Sequence, residues 1–391
     1  MKTLKELEVK NKRILLRVDF NVPLDKEGHI IDTTRIDAAL PTIQYILEQG
    51  ASLILMSHLG KPKGTRQSRY SLAPCADYLA KRLHLPITMA KDCIGTEVEK
   101  KSHELKPGEV ILLENLRFHS AEEKPELDPS FAKQLAVLAD LYVNDAFGTA
   151  HRKHSSTYTI TQYFPQRKAA GFLFEKELQF LNKILHNPKR PFYALVGGAK
   201  ISSKLGVLYS LLEKVDALFI GGAMAYTFMA AKKIAIGKSF FEPSLVTEAL
   251  AICKKAAVIG VELLLPLDVV VTTSAHKSRI VLAEKGFAQD EEGVDIGPKT
   301  VDFYSKKLQE AKTLFWNGPF GKYEDEAFAK GTIALLKCFA AQKATTVIGG
   351  GDLVAAAMKA HIEANVSHLS TGGGASLEYI EKGTLPALEA L

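Results

Sequence analysis

Thr345-Thr346-Val347-Ile348-Gly349-Gly350-Gly351-Asp352-Leu353-Val354-Ala355-Ala356-Ala357-Met358 decides how the chain is read. A β-rich apolar run stops in three glycines and an aspartate, and a helical pattern begins at once. Glycine lets backbone N–H groups approach a phosphate closely, and a helix N-terminus adds a dipole that favours an anion. Asp352 is expected at or beside the helix N-cap. The device recurs downstream, where Val366-Ser367-His368-Leu369-Ser370-Thr371 leads into Gly372-Gly373-Gly374-Ala375-Ser376-Leu377-Glu378. One glycine triplet reads as a tight turn. Two of them, each between strand and helix, point to a polyphosphate and a transferred group.

Outward from these turns, short β-rich runs alternate with amphipathic helical stretches along the whole chain, the pattern of parallel α/β layers. Examples of the runs are residues 13–18, 52–56, 110–113, 141–143, 192–196, 217–220, 262–265, 268–271 and 313–316. Open parallel sheets bind ligands at the carboxyl ends of their strands, so the residues just past each run are informative. In the first half those ends bring Asp19, Asn21, His58, Lys61, Arg117, His119, His151 and Arg152. In the second half they bring glycine: Gly197-Gly198-Ala199-Lys200, Gly221-Gly222-Ala223, Asn317-Gly318-Pro319 and the two triplets. One sheet edge is cationic and the other is suited to backbone–phosphate contact. Facing each other across a cleft, they would hold two phosphorylated ligands.

The chain has 391 residues, which exceeds what one core normally serves. Two lobes are expected, 1–168 and 169–391, with a boundary near residues 166–171 and a helical hinge from about Leu173. The composition, 47% hydrophobic and 24% charged, is that of an ordinary globular protein. Cys75, Cys93, Cys253 and Cys338 are scattered without a CxxC pair, which fits a reducing compartment. The N-terminus lacks the apolar segment of a secretion signal, and no apolar run approaches a membrane span. A cytoplasmic location is the resulting expectation. The net charge of +6 is spread over both halves, which argues against a nucleic-acid tail. Residues 49–76 are nevertheless free of acids while carrying His58, Lys61, Lys63, Arg66 and Arg69, a basic loop suited to a small anion.

Lys200 and Lys204 are spaced i, i+4 behind a glycine turn. If a helix opens at Ile201, both ammonium groups share one face and neutralise β- and γ-phosphates. Asp352 is the best candidate Mg²⁺ contact. Glu324 is placed to accept from a ribose. Asp268 and Trp316 read as structural. No nucleophile–base pair stands out, as expected for phosphoryl transfer, which needs positioning and charge neutralisation. A carboxylate acceptor needs no general base, because it is ionised at neutral pH.

The chain resembles the phosphoglycerate kinases along its length. The likeness rests on Arg17-Val18-Asp19-Phe20-Asn21-Val22-Pro23, Ser57-His58-Leu59-Gly60, Glu114-Asn115-Leu116-Arg117-Phe118, Asn144-Asp145-Ala146-Phe147-Gly148, Ala150-His151-Arg152, Gly197-Gly198-Ala199-Lys200, Trp316-Asn317-Gly318-Pro319 and the two glycine triplets. The resemblance implies two doubly wound parallel-sheet lobes joined by a helical hinge with a cleft between them. It also implies a C-terminal tail, the last ~15 residues, packed back on the first lobe. The implied activity is reversible, Mg²⁺-dependent phosphoryl transfer between 1,3-bisphosphoglycerate and ADP, giving 3-phosphoglycerate and ATP, by a monomer. Carried over by position, Asp19, Asn21, Arg35, His58, Lys61, Arg117 and Arg152 hold the acid. Arg35, Lys200 and the amides around Gly373 neutralise the transferred group. Gly198, Lys204, Gly222, Asn317, Pro319, Glu324, Gly349, Gly350, Gly351 and Asp352 hold the nucleotide, with Asp352 on the metal.

Three positions depart from the family pattern. Lys61 stands where Arg is usual, so the planar fork is lost. Leu353 stands where Thr or Ser usually follows the aspartate, removing a hydroxyl from the expected phosphate site. Ala223 replaces a third glycine. The rival reading is a non-catalytic nucleotide-binding scaffold on the same fold, against which Arg35, Lys200, Lys204 and Asp352 argue. A nucleic-acid binder is disfavoured, because the basic loop lacks interleaved aromatics.

Overall fold

The computed structural model describes residues 1–391. Fifteen strands form in chain order: β1 Arg13–Arg17, β2 Ser52–Met56, β3 Ile87–Met89, β4 Val110–Leu112, β5 Leu141–Asn144, β6 Lys168–Ala170, β7 Phe192–Val196, β8 Ala217–Ile220, β9 Glu262–Leu264, β10 Asp268–Thr272, β11 Ser278–Leu282, β12 Glu292–Ile296, β13 Thr313–Asn317, β14 Thr345–Gly349 and β15 His368–Leu369. The chain divides into two compact units, residues 1–179 with 384–391, and residues 180–383. The helix Phe172–His186 runs across the division.

The first unit holds a six-stranded sheet in the order β3-β4-β2-β1-β5-β6, with every pair parallel. Its strands are apolar at successive positions because both faces are covered. Ile14 and Leu16 pack with Leu53 and Leu55 on one face, under Ile36, Ile43 and Ile46 of the helix Thr34–Glu48. Leu15 points the other way, with Ile54, Ile111 and Tyr142, against Phe131 and Leu135 of the helix Phe131–Ala136. Each such aliphatic side chain contributes about 1.5–3 kcal/mol over leaving it in water. Residues 166–171, expected as a linker, instead include β6 at the sheet edge, where Ala169 and Ala170 are fully buried. The C-terminal residues are tied into this unit, with Ala387 N donating to Ala150 O at 3.0 Å.

The second unit holds a parallel sheet in the order β15-β14-β13-β7-β8-β9. Leu195, Phe219, Leu314, Trp316 and Ile348 form one face, packed against Tyr304, Leu336, Phe339 and Leu353. Trp316 is the core residue expected, and its Nε1 donates to Gly318 O at 2.9 Å, fixing the turn beyond β13. Residues 268–271 do not continue the parallel series. They form β10, the centre of a separate three-stranded antiparallel sheet in the order β11-β10-β12. Periodicity could not separate a buried antiparallel strand from a buried parallel one. Asp268 is structural, as expected: its Oδ1 accepts from Thr300 N at 2.7 Å, holding the start of the helix Pro298–Leu308.

Both six-stranded sheets are doubly wound. The first reverses direction between β1 and β5, the second between β7 and β13. The crevice beyond the strand ends at such a point is where open α/β sheets bind ligands.

Candidate functional site

In the first unit, the loops after β1, β2 and β4 gather a cationic cluster. Its base is Arg17, the last residue of β1 and fully buried. Arg17 Nε donates to Ser156 Oγ at 2.9 Å, Nη1 to Val18 O, and Nη2 to His58 Nδ1 at 3.2 Å. Its counter-charge is Glu122, equally buried, 3.8 Å away and itself accepting from Ser156 Oγ at 2.7 Å. Burial pushes the Glu122 carboxyl up, while Arg17 and Ser156 oppose it. An arginine only donates, so His58 Nδ1 is an acceptor and the proton sits on Nε2. Burial first, then Arg17, Arg117 and Arg35, holds His58 well below the usual imidazole range. His58 is therefore neutral, and its approach to Asp19 at 3.8 Å is not an ion pair.

Around this base lie the expected acid-binding residues. Arg35, in the first turn of the helix Thr34–Glu48, reaches Asp19 Oδ2 at 2.5 Å. Asn21 Oδ1 accepts from Gly60 N at 2.8 Å, and Arg117 Nη1 donates to Gly60 O at 2.9 Å. Gly60, and with it the start of the Lys61 loop, is thus held from both sides. Arg117 sits in the turn Leu116–Phe118, which Asn115 caps by accepting from Arg117 N at 3.0 Å. The Asn115 amide also donates to Leu59 O at 2.7 Å and Tyr70 O at 2.9 Å, tying the β4 loop to the β2 loop. Glu123 lies 3.1 Å from Arg117 and 3.8 Å from Arg152. Lys61 and Arg152 are exposed.

In the second unit, two adjoining compartments lie at the β7/β13 crossover. One, about 280 Å³, is walled by Ala199, Gly222, Ala223, Tyr226, Phe240, Val294, Pro319 and Phe320, with Glu292 and Glu324 at its edge. It suits a flat apolar ring beside a polyhydroxyl group. The other, about 360 Å³, is walled by Lys200, Lys204, Asn317, Gly350, Gly351, Gly373 and Gly374. Gly198, Ala199, Pro319 and Asp352 border both. Two nine-residue helices, Gly351–Lys359 and Gly374–Lys382, begin at the second compartment. Their N-caps are Gly350 and Gly373, with φ of +93° and +53°, which side-chain-bearing residues avoid. Gly349 ends β14 and is buried.

The two lysines depart from their expected placement. The helix opens at Leu205, so residues 201–204 are a turn and no shared helical face exists. Lys200 is exposed at the compartment wall. Lys204 curls under the glycines, its Nζ donating to Gly197 O at 2.5 Å, Asn317 Oδ1 at 2.7 Å and Asn317 O at 3.1 Å. Burial brings its pKa down to about 8, with Asp352 opposing. Asn317 Nδ2, beside Gly350, is a buried donor without a partner. Asp352 lies near the N-cap, as expected, two residues past Gly350 and exposed in the first helical turn. One exposed carboxylate beside an anion compartment suits Mg²⁺, which binds through one or two carboxylates together with phosphate oxygens and water. Leu353 is fully buried in the core. A cavity larger than either compartment, about 810 Å³, lies elsewhere in this unit, between β11, β12 and the helices Pro298–Leu308 and Lys330–Ala340, and has a mostly apolar lining.

Sequence reasoning assigned no role to Arg17, Glu122, Glu123, Ser156 or Asn115. Arg17 and Asn115 lie within the motifs that carry the resemblance. Nothing in the sequence pairs Arg17 with an acid more than a hundred positions away.

A family model described as Phosphoglycerate kinase matches residues 4–383. The chain is 50% identical to a phosphoglycerate kinase of Chlorobium phaeobacteroides, covering 100% of this chain and 99% of the relative. It is 51% identical to that of Moorella thermoacetica, covering 100% and 98%. Among solved structures, the phosphoglycerate kinase from Coxiella burnetii aligns at a TM-score of 0.86 and 38% identity over 99% of this chain and 97% of the other. That from Pyrococcus horikoshii aligns at 0.86 and 33%, over 100% and 98%.

Proposed function

The chain belongs to the phosphoglycerate kinase family, a family of phosphotransferases, and from that premise we propose that it transfers a phosphoryl group reversibly between 1,3-bisphosphoglycerate and ADP. In the forward direction the acyl C–O–P linkage breaks at phosphorus, and a bond forms from the ADP β-phosphate oxygen to the same phosphorus. The 3-phosphoglycerate carboxylate leaves ionised, so no proton needs to move. The observation that carries this reading is the pair of helix N-termini opening through positive-φ glycines into one compartment with Lys200, Lys204 and Asn317.

In this reading the cationic cluster of the first unit holds the acid. Asp19 orients Arg35, and neutral His58 offers its Nε2–H. Asn21, Lys61, Arg117 and Arg152 supply the remaining donors. The nucleotide base lies against Gly222 and Pro319, the ribose meets Glu324, and the phosphates meet the amides of Gly350 and Gly351. Arg35, Lys200 and the amides at Gly373 neutralise the charge that spreads over the transferring group. Asp352 would hold Mg²⁺, which when bound supplies further neutralisation of the phosphates. Lys204 exchanges its backbone carbonyls for phosphate oxygens. Transfer requires the two ligands to meet, and we place that motion at the helix Phe172–His186. We further place the enzyme in glycolysis and gluconeogenesis, as a cytoplasmic monomer. No helix is long and apolar enough to cross a membrane.

The test is Mg²⁺-dependent ADP formation from ATP and 3-phosphoglycerate, with a coupled enzyme consuming the acyl phosphate. Turnover in the parent and a loss of about 10²–10³ in kcat for Lys200→Ala would support the reading. Binding of both ligands without turnover would replace it with a nucleotide-binding scaffold.

A further inference from the structure

We propose that Asp92, Cys93 and His119 form a binding site for a thiophilic divalent metal ion of the Zn²⁺ type, separate from the nucleotide compartments. Asp92 and Cys93 lie beyond β3, and His119 lies just past the turn Leu116–Phe118. A carboxylate oxygen, the thiol sulfur and a ring nitrogen lie within 4.8 Å of one another, the one such group of three in the protein. His119 Nε2 is 2.7 Å from Asp92 Oδ1. That oxygen also accepts the Cys93 amide at 2.7 Å, which leaves Oδ2 for a further contact. The His119 ring is held against Phe131, with centroids 5.2 Å apart.

The donor set decides the metal. Thiolate, imidazole and carboxylate together suit Zn²⁺ and its Co²⁺ surrogate, while Mg²⁺ prefers oxygen ligands and keeps its water. Three protein ligands leave a fourth position for water, as in sites where zinc is not purely structural. Cys93 is fully buried, but the Asp92 and His119 side chains are 45% and 30% exposed, so an ion entering between them reaches the sulfur. The ring nitrogen and the near carboxylate oxygen sit closer together than two ligands of one tetrahedral ion, so an ion entering must part them, and the two partly exposed side chains have room to move. Binding balances as two bonds made for two protons displaced from the donor atoms. The metal–sulfur bond replaces the S–H bond, and that proton goes to solvent. The Nε2 proton that His119 gives to Asp92 is released to solvent from an imidazolium, or is exchanged through solvent to Nδ1 in a neutral ring, so that the Asp92–His119 hydrogen bond gives way to two metal bonds. Without metal, burial keeps the thiol protonated and the cluster uncharged at sulfur. A bound ion would cross-link the loop after β3 to the segment two residues past Arg117.

The experiment is a Co²⁺ titration of the full chain in the absence of nucleotide, read by absorption spectroscopy. The expected result is one equivalent bound with a thiolate-to-cobalt charge-transfer band, displaced by Zn²⁺ and unaffected by Mg²⁺. Cys93→Ser should lose the band. A chain carrying Cys75→Ser, Cys253→Ser and Cys338→Ser together should keep it, which tests the assignment even if Cys93→Ser folds poorly. No charge-transfer band in the parent would overturn the proposal. So would a band that survives Cys93→Ser or vanishes in the triple variant. The readout does not depend on turnover, so it stands or falls apart from the proposed activity.

Discussion

Under the proposed function, the two candidate sites would recognise anions by opposite means. In the first unit the work is done by side chains, and the buried charges need partners: Arg17 has the equally buried Glu122, and Arg117 has Glu123 at the solvent edge. In the second unit it is done by backbone. Glycines expose amides at two helix starts, and the side chains nearby are spent on each other and on the β7 turn, Lys204 donating to Asn317 Oδ1 and Gly197 O. A side-chain site puts its stability at risk when one partner is removed. A backbone site keeps its stability and loses geometry.

The sharpest way to break that contrast is Glu122→Ala. It strands Arg17 as an unpaired buried cation, for which about 3–5 kcal/mol of stability is expected to be lost. The check is the denaturant midpoint at constant m-value. An unchanged midpoint would mean that Ser156 and Val18 suffice for Arg17. Leu353→Thr comes next and probes a departure from the family pattern. Leu353 is fully buried with Ala356 and Ala357 in the core, so threonine there removes apolar volume and buries a hydroxyl. A loss of about 2–3 kcal/mol is expected, with no gain in nucleotide affinity. Tighter nucleotide binding in this variant would show that the position faces the phosphates after all. Gly350→Ala should do the reverse. A methyl at φ +93°, 3.1 Å from Asn317 Nδ2, introduces about 1–3 kcal/mol of strain. Its main effect should be roughly tenfold weaker nucleotide binding, with 3-phosphoglycerate binding unchanged by calorimetry.

The same contrast explains what the sequence disclosed. Strands covered on both faces write themselves as continuous apolar runs, so Leu53–Leu55 or Phe192–Val196 were legible, as was the glycine turn after the latter. β6 was not, because Lys168-Ala169-Ala170 carries no β-branched residue and borrows its conformation from pairing with β5. The antiparallel β10–β12 sheet was hidden because Val269 and Val271 look alike in either setting. Among site residues, the outward-facing cations could be read from strand-end position. Their counter-charges could not, since Glu122 reaches Arg17, and Glu123 reaches Arg152, only through tertiary folding. Lys204 was legible as a site residue but not in its placement, because spacing alone suggested a helix where the chain makes a turn.

Lys204 offers a pH-dependent test with a defined sign. Its folded pKa, about 8, lies below the ordinary lysine value of 10.5, so the folded chain holds this proton less tightly than the unfolded chain. Its contribution to stability is therefore least favourable below pH 8 and recovers as pH rises from 8 towards 10.5. Polyphosphate beside the ammonium should reverse the depression, so nucleotide binding near pH 8 is expected to take up a fraction of a proton. Calorimetry in two buffers of different ionisation enthalpy reads this directly. No proton uptake would place Lys204 away from the phosphates.

The smallest expected effect is Lys61→Arg. Gly60 is clamped by Asn21 and Arg117, so the backbone that launches residue 61 is fixed and the substitution tests the side chain alone. Arginine restores a planar fork that can grip a carboxylate or phosphate by two parallel bonds, where lysine offers a compact point charge. Residue 61 is exposed, however, and water competes for either head group. The gain in 3-phosphoglycerate affinity should therefore be modest, roughly two- to fivefold in KM with kcat unchanged. A change in kcat without one in KM would mean that residue 61 acts on the transferring group. An unchanged KM would mean that the buried cluster around Arg17 and His58 already sets the orientation of the acid, and that the rim of the side-chain site contributes charge alone.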